Sequence, residues 1–117
     1  MQLEERMVGG VAIVKITGDI TLNQRGDVML HDKVRSLVQQ GHKNVVIDLG
    51  GVSYMDSAGL GELVSAYSST KNNGGSLKLL NLTKRLRDLL VVTKLAAVFE
   101  SHDTEAAALA SFGAAAT

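Results

Sequence analysis

Apolar residues change period several times along the chain, and each change marks an element. Leu3 to Val8 and Val11 to Thr17 flank Gly9-Gly10. Two apolar runs around a two-residue glycine turn predict a β-hairpin. In the second run Ala12, Val14 and Ile16 alternate with Ile13, Lys15 and Thr17, and the first set is expected to face the core. From Asp27 to Gln40 the period becomes helical: Leu30, Val34, Leu37 and Val38 share one face. Gly41 is a natural stop for that helix. Asn44 to Leu49 is nearly continuous in apolar residues, as in a strand buried on both faces of a parallel sheet. Gly50-Gly51 is then expected to open a loop. Leu60, Leu63, Val64 and Tyr67 form a second helical stripe, ended by Gly74-Gly75. Ser76 to Leu82 reads as another short strand. Leu86, Leu89 and Leu90 mark a third helix with Thr83 as its N-cap. Ala97 to Glu100 is expected to be a last short strand, and Asp103 to cap a final helix reaching Phe112.

A hairpin followed by alternating helices and strands predicts an α/β fold. The sheet is expected to be mixed but mostly parallel, with four or five strands, and about four helices to cover it. No linker, repeat or low-complexity block divides the chain. One domain over residues 1–113 is expected, followed by a frayed Ala-rich tail at 114–117.

Composition narrows the function classes. At 117 residues the chain is long enough to bury roughly two thirds of its unfolded surface. It contains no cysteine, so disulfides and thiol chemistry drop out. Charge is balanced, with 12 basic and 12 acidic side chains, which argues against direct nucleic-acid binding. Two Tyr and two Phe offer no base-stacking platform. No N-terminal signal peptide is visible, and no run approaches the ~20 apolar residues of a membrane span. These features fit a cytoplasmic protein without membrane insertion.

The stretch from Val45 to Gly61 carries the candidate chemistry. A buried strand leads through a loop to Asp56-Ser57, and a helix begins at once. Ser57 thus falls at a helix N-terminus, where unpaired N–H groups and the dipole favour negative charge. Such a place accepts a phosphoryl group. Gly59 and Gly61 lower helix propensity by about 1 kcal/mol each and suggest close approach of another surface to the first turn. Local physics alone favours a plain helix cap, with either Ser57 or Asp56 as the capping residue.

The run Asp48-Leu49 through Met55-Asp56-Ser57-Ala58-Gly59-Leu60-Gly61 resembles the signature of the STAS domain family, whose members include anti-sigma factor antagonists. The resemblance continues through Gly18-Asp19-Ile20, Asn73-Gly74-Gly75, Leu86 to Leu95 and Val98-Phe99. It implies a non-catalytic protein-binding switch. Unphosphorylated, such a domain binds an anti-sigma factor that is also a serine kinase, and so frees a sigma factor. The kinase phosphorylates the Ser after the Asp, here Ser57, and a phosphoserine phosphatase resets the switch. The implied binding site comprises Asp19, Thr21, Asp56, Ser57, Ala58, Gly59, Leu60 and Gly61. The domain itself would hold no cofactor or metal, ATP and Mg²⁺ belonging to the kinase.

Three positions depart from the family pattern. Thr21 stands where an Asp implicated in switching is usual, Lys84 where Pro is common, and Lys94 where Gly is usual. Another class of function also fits the resemblance: a fixed, unmodified STAS-like subunit of a transport or sensory assembly. In that reading Lys84, Arg85, Arg87 and Lys94 dock an acidic partner, against the plainer alternative of a solvated helix face. A phosphoacceptor-Asp receiver domain lacks its acidic pair, because Ile16-Thr17-Gly18-Asp19 offers one acid. Asp48 is expected instead to accept hydrogen bonds from loop N–H groups. There is no Gly-x-Ser-x-Gly elbow, phosphate-binding Gly-Lys-Ser/Thr loop or zinc-ligand spacing. His31, His42 and His102 are expected to be solvated.

Overall fold

The computed structural model describes residues 2–21 and 26–112. Strands β1 (Gln2–Val8) and β2 (Val11–Thr17) form the predicted antiparallel hairpin, with Val8 opposite Val11 and Gln2 opposite Thr17. β2 pairs in parallel with β3 (Asn44–Gly51), β3 with β4 (Ser76–Leu80), and β4 with the two-residue β5 (Ser101–His102). The sheet order is β1-β2-β3-β4-β5. Four helices follow in sequence: α1 (Gly26–Gln39), α2 (Ser57–Asn72), α3 (Lys84–Val92) and α4 (Glu105–Ala110). The expected α/β architecture is therefore present.

One sheet face packs Ala12, Val14, Ile16, Val45, Ile47 and Leu79 against the apolar faces of the first three helices. α1 presents Leu30, Val34, Leu37 and Val38, as its spacing predicts, and Gly41 follows at φ +93°. The opposite face differs from expectation. Val11 and Ile13 are buried there with Val46 and Leu80 beneath Ala108, Leu109 and Phe112. α4 covers this half of the face, so both sides of β2 are buried until Lys15 emerges into solvent.

Several boundaries need correction. Gly50-Gly51 continues β3, because the register shift between Lys15 and Thr17 brings Thr17 opposite Gly51. On α2 the buried line is Gly59, Leu63, Ala66 and Thr70, while Leu60, Val64 and Tyr67 flank it half-buried. The small residues face the sheet, and a reading based on large apolar side chains missed them. β4 stops at Leu80, since Asn81 turns the chain at φ 60°. Residues 97–99 form turns, with Phe99 in the core, and the strand comes later at Ser101–His102. Thr104, not Asp103, caps α4 by accepting from the Ala107 N–H at 3.2 Å. Asp103 is drawn to Arg87 at 3.1 Å instead. Helix α4 ends at Ala110, short of Phe112. The tail at 114–117 lies outside the described residues.

The histidines are less solvated than expected. His31 Nδ1 lies 3.1 Å from Glu62 Oε1 and 3.2 Å from Ser65 Oγ, bridging α1 and α2. His102 Nε2 lies 2.6 Å from Glu100 Oε2. Among the described residues no helix is long and apolar enough to cross a membrane, and no His/Cys/Asp/Glu group could hold a metal ion.

Candidate functional site

The site forms where the parallel strands β2 and β3 run out side by side at their C-terminal ends. The ladder continues past both strands as single contacts. Gly18 N–H donates to Gly51 O at 3.0 Å and Ile20 N–H to Tyr54 O at 3.1 Å. Ile20 and Met55 form an isolated parallel bridge, and Asp56 N–H donates back to Ile20 O at 3.3 Å. Ile20 and Met55 are both buried, which anchors this stitching in the core. A side-chain bond adds to it: Ser53 Oγ donates to Asp19 Oδ1 at 3.1 Å. The segment carrying Asp19 and Thr21 is thus held against the β3–α2 loop, as the sequence reading requires for one composite site. Thr21 itself is half-buried in a bend at the end of that segment.

Asp56 settles the question of the cap. Its carboxylate accepts from the Gly59 N–H at 2.8 Å, with backbone at φ −86°, ψ −179°, so Asp56 is the N-cap and Ser57 the first helical residue. Leu60 N–H donates to Asp56 O at 2.8 Å, the first regular helical bond. The Ser57 and Ala58 N–H groups fall in the part of the turn that has no intrahelical acceptor. No acidic residue other than the cap occupies the first turn. The Ser57 side chain is exposed and Ala58 is half-buried. An exposed hydroxyl at this position has room for an added phosphoryl group, and the positive end of a 16-residue helix lies behind it.

The two glycines of the first turn have different reasons. Gly59 is buried, and a Cβ there would lie 2.1 Å from the Ile20 carbonyl oxygen. Its bareness makes room for the chain's own Ile20, not for an outside surface as expected. Gly61 is exposed with nothing within 4 Å of a Cβ, so its surface is open. Leu60 is half-buried and packs on the core. Of the residues named from the sequence, Asp19, Thr21, Asp56, Ser57, Ala58, Leu60 and Gly61 reach solvent to some degree, while Gly59 acts from inside.

Ser53 and Tyr54 were not singled out from the sequence. Ser53 holds Asp19, and Tyr54 is exposed on the same loop. No sequence pattern announces either, because both roles depend on how two chain segments meet. Asp48 behaves as expected, its Oδ1 accepting from Gly50 N–H at 3.0 Å and from Asn81 Nδ2 at 3.3 Å. Lys84, Arg85, Arg87 and Lys94 lie exposed on or just after α3. Lys94, in place of the family's Gly, adopts φ +64°, the left-handed conformation that Gly takes more easily.

Comparisons with known proteins identify the family and the fold. The chain is 42% identical over 83 residues to the anti-sigma-B factor antagonist of Bacillus subtilis strain 168, covering 66% of this chain and 75% of the relative. An anti-sigma factor antagonist structure from Mycobacterium paratuberculosis superposes with a TM-score of 0.80 at 22% identity, covering 94% of this chain and 92% of that one. The antagonist SpoIIAA in its unphosphorylated form superposes with a TM-score of 0.73 at 18% identity, over 97% and 99% of the two chains. These structural likenesses concern the fold. The STAS domain family matches residues 2–108, and with the 42% identical relative this shows that the chain belongs to the STAS domain family.

Proposed function

We propose that this STAS domain is an anti-sigma factor antagonist, a protein-binding switch controlled by phosphorylation of Ser57. The unmodified site, built from Asp19, Thr21 and Asp56 to Gly61, binds an anti-sigma factor that is also a serine kinase. Binding sequesters that factor and releases a sigma factor. The kinase, using its own ATP and Mg²⁺, transfers a phosphoryl group to Ser57 Oγ, and a phosphoserine phosphatase removes it. The domain contributes no catalysis and acts in the cytoplasm.

One observation carries this reading. Ser57 is an exposed hydroxyl on the first residue of α2, directly after a side chain that already caps the helix. A serine needed only as a cap would occupy the position that Asp56 holds. The name of the 42% identical relative supplies the partner class.

The test is a pull-down from the native cell with wild-type bait, followed by mass spectrometry of prey and bait. Recovery of an anti-sigma factor kinase, with phosphate on Ser57 after incubation with ATP, is the expected result. Phosphate on Ser53, Ser65 or Ser68 with Ser57 unmodified contradicts it. The alternative, a fixed subunit of a transport or sensory assembly, draws support from the exposed Tyr54, Val91 and Val92. That reading predicts stoichiometric copurification with a partner and no response to kinase and ATP.

A further inference from the structure

An open groove of about 490 Å³ runs between the β3–α2 loop and α3. Its lining is mainly apolar, from Tyr54, Met55, Leu86, Leu89 and Val92. Two exposed large apolar side chains line it. Tyr54 is 46% and Val92 79% exposed, the latter at the end of α3. A single exposed apolar residue is ordinary, but one from the loop and one from α3 on either side of an apolar groove form the kind of surface that buries an anchor from a partner.

Charge indicates what kind of partner. Arg85 and Asp88 also line the groove. The helix and the turn after it carry Lys84, Arg85, Arg87 and Lys94 against the single acid Asp88. Arg87 is neutralised by Asp103. Among the described residues, no acid forms an ion pair with Lys84, Arg85 or Lys94. The α3 side of the groove is therefore net positive, which favours an acidic segment of the occupant on that side. The groove is also continuous with the switch site. Met55 lines it and bridges to Ile20, and Asp56-Ser57 follow directly.

We propose that this groove receives an apolar anchor side chain flanked by acidic residues, supplied by the anti-sigma factor that reads Ser57. The inference rests on the function proposed above and adds a second contact to it. The groove supplies affinity whatever the state of Ser57, and the phosphoryl group acts at the neighbouring edge.

The test uses the anti-sigma factor recovered with the wild-type bait, made recombinantly and titrated against full-length variants. Val92→Glu should weaken binding by about tenfold or more, because it places a charge in an apolar contact. Arg85→Glu should weaken it by about threefold to tenfold and flatten its salt dependence. Lys71→Glu, an equal charge change in the last turn of α2, should leave affinity within about twofold of wild type. All three side chains are exposed, so urea midpoints should match wild type. Wild-type affinity for Val92→Glu and Arg85→Glu, with binding still sensitive to Ser57 phosphorylation, overturns the groove and leaves the switch standing. Equal loss with Lys71→Glu overturns the groove as well. Loss in the two groove variants, with no effect of phosphorylation, supports the groove and removes the switch. No binding of the anti-sigma factor by any form overturns both.

Discussion

Gly59 and Gly61 look alike in the sequence, two residues apart in one helical turn, yet their surroundings are opposite. An Ala Cβ at position 59 meets the Ile20 carbonyl oxygen at 2.1 Å and Ile20 Cγ2 at 2.8 Å, so the 18–21 segment must move. Gly59→Ala should destabilise the domain by about 1–3 kcal/mol, the range for overpacking. Gly61→Ala meets nothing within 4 Å and should stabilise it by up to about 1 kcal/mol through helix propensity. Urea midpoints of the two variants check this, and a shift in the same direction for both would contradict the packing described. Thr21 is the other residue whose consequence is local. If the family's Asp at this position assists phosphoryl transfer, Thr21→Asp should raise the rate at which the cognate kinase modifies Ser57. An unchanged or slower rate in a phosphorylation time course would show that Thr21 is not a deficit. The Asp-Ser-Ala-Gly-Leu-Gly run is legible in the sequence, but the reason for Gly59 depends on a carbonyl far away in the chain.

Elements with a strong period could be read directly. The hairpin, α1 and α3 with its Thr83 cap follow from spacing and capping chemistry, and the structure places them where the pattern does. What escaped had no period to read. β5 has two residues, too few for alternation, and pairs because Leu79 and Asn81 donate to Glu100 O and His102 O at 2.9 Å. Asp103 and Thr104 are both good caps, and Arg87 decides between them by pairing with Asp103. Ile13 is buried because α4 folds over it, a fact of topology. α4 is only six residues long and depends on tertiary ties. Arg6 pairs with Glu105 at its start. Lys78 Nζ donates to Ser111 O at 2.9 Å and Ser111 Oγ at 2.8 Å at its end, and lies 4.4 Å from the Phe112 ring centroid. Glu100 joins this group, 3.0 Å from Lys78 Nζ. Its hydrogen bond with His102, then that with Lys78, hold the Glu100 carboxyl below the ordinary value of 4.5. A carboxylate with a depressed folded pKa stabilises the fold above its unfolded value, and that stabilisation is lost as pH falls through the folded value. Glu100→Gln should therefore lower stability at neutral pH and reduce the fall in stability as pH drops below about 4.5. Urea unfolding as a function of pH measures this. Parallel curves for the variant and wild type would mean that Glu100 does not tie α4 down.

At the scale of the molecule, the sheet positions the site. Its buried strands fix the ends of β2 and β3 side by side, and the 18–21 segment and the β3–α2 loop extend that pairing to the start of α2. The proposed switch surface is thus hydrogen-bonded to the sheet on one side and presents an exposed serine at a helix end. Phosphorylation adds about −1.5 to −2 charges at neutral pH. The helix N-terminus can hold that charge within the domain, so the fold should survive. A bound partner must desolvate it beside Asp56, and a loss of about 2.8 kcal/mol weakens affinity roughly a hundredfold. Ser57→Ala removes one exposed hydroxyl and blocks modification, so it should bind like the unmodified protein. The most direct measurement is titration calorimetry of the unmodified, Ser57-phosphorylated and Ser57→Ala forms against the anti-sigma factor. The account predicts equal affinity for the unmodified and Ala forms and a loss of about a hundredfold for the phosphorylated form. Equal affinity for all three would contradict it and leave Ser57 as merely the first residue of a helix.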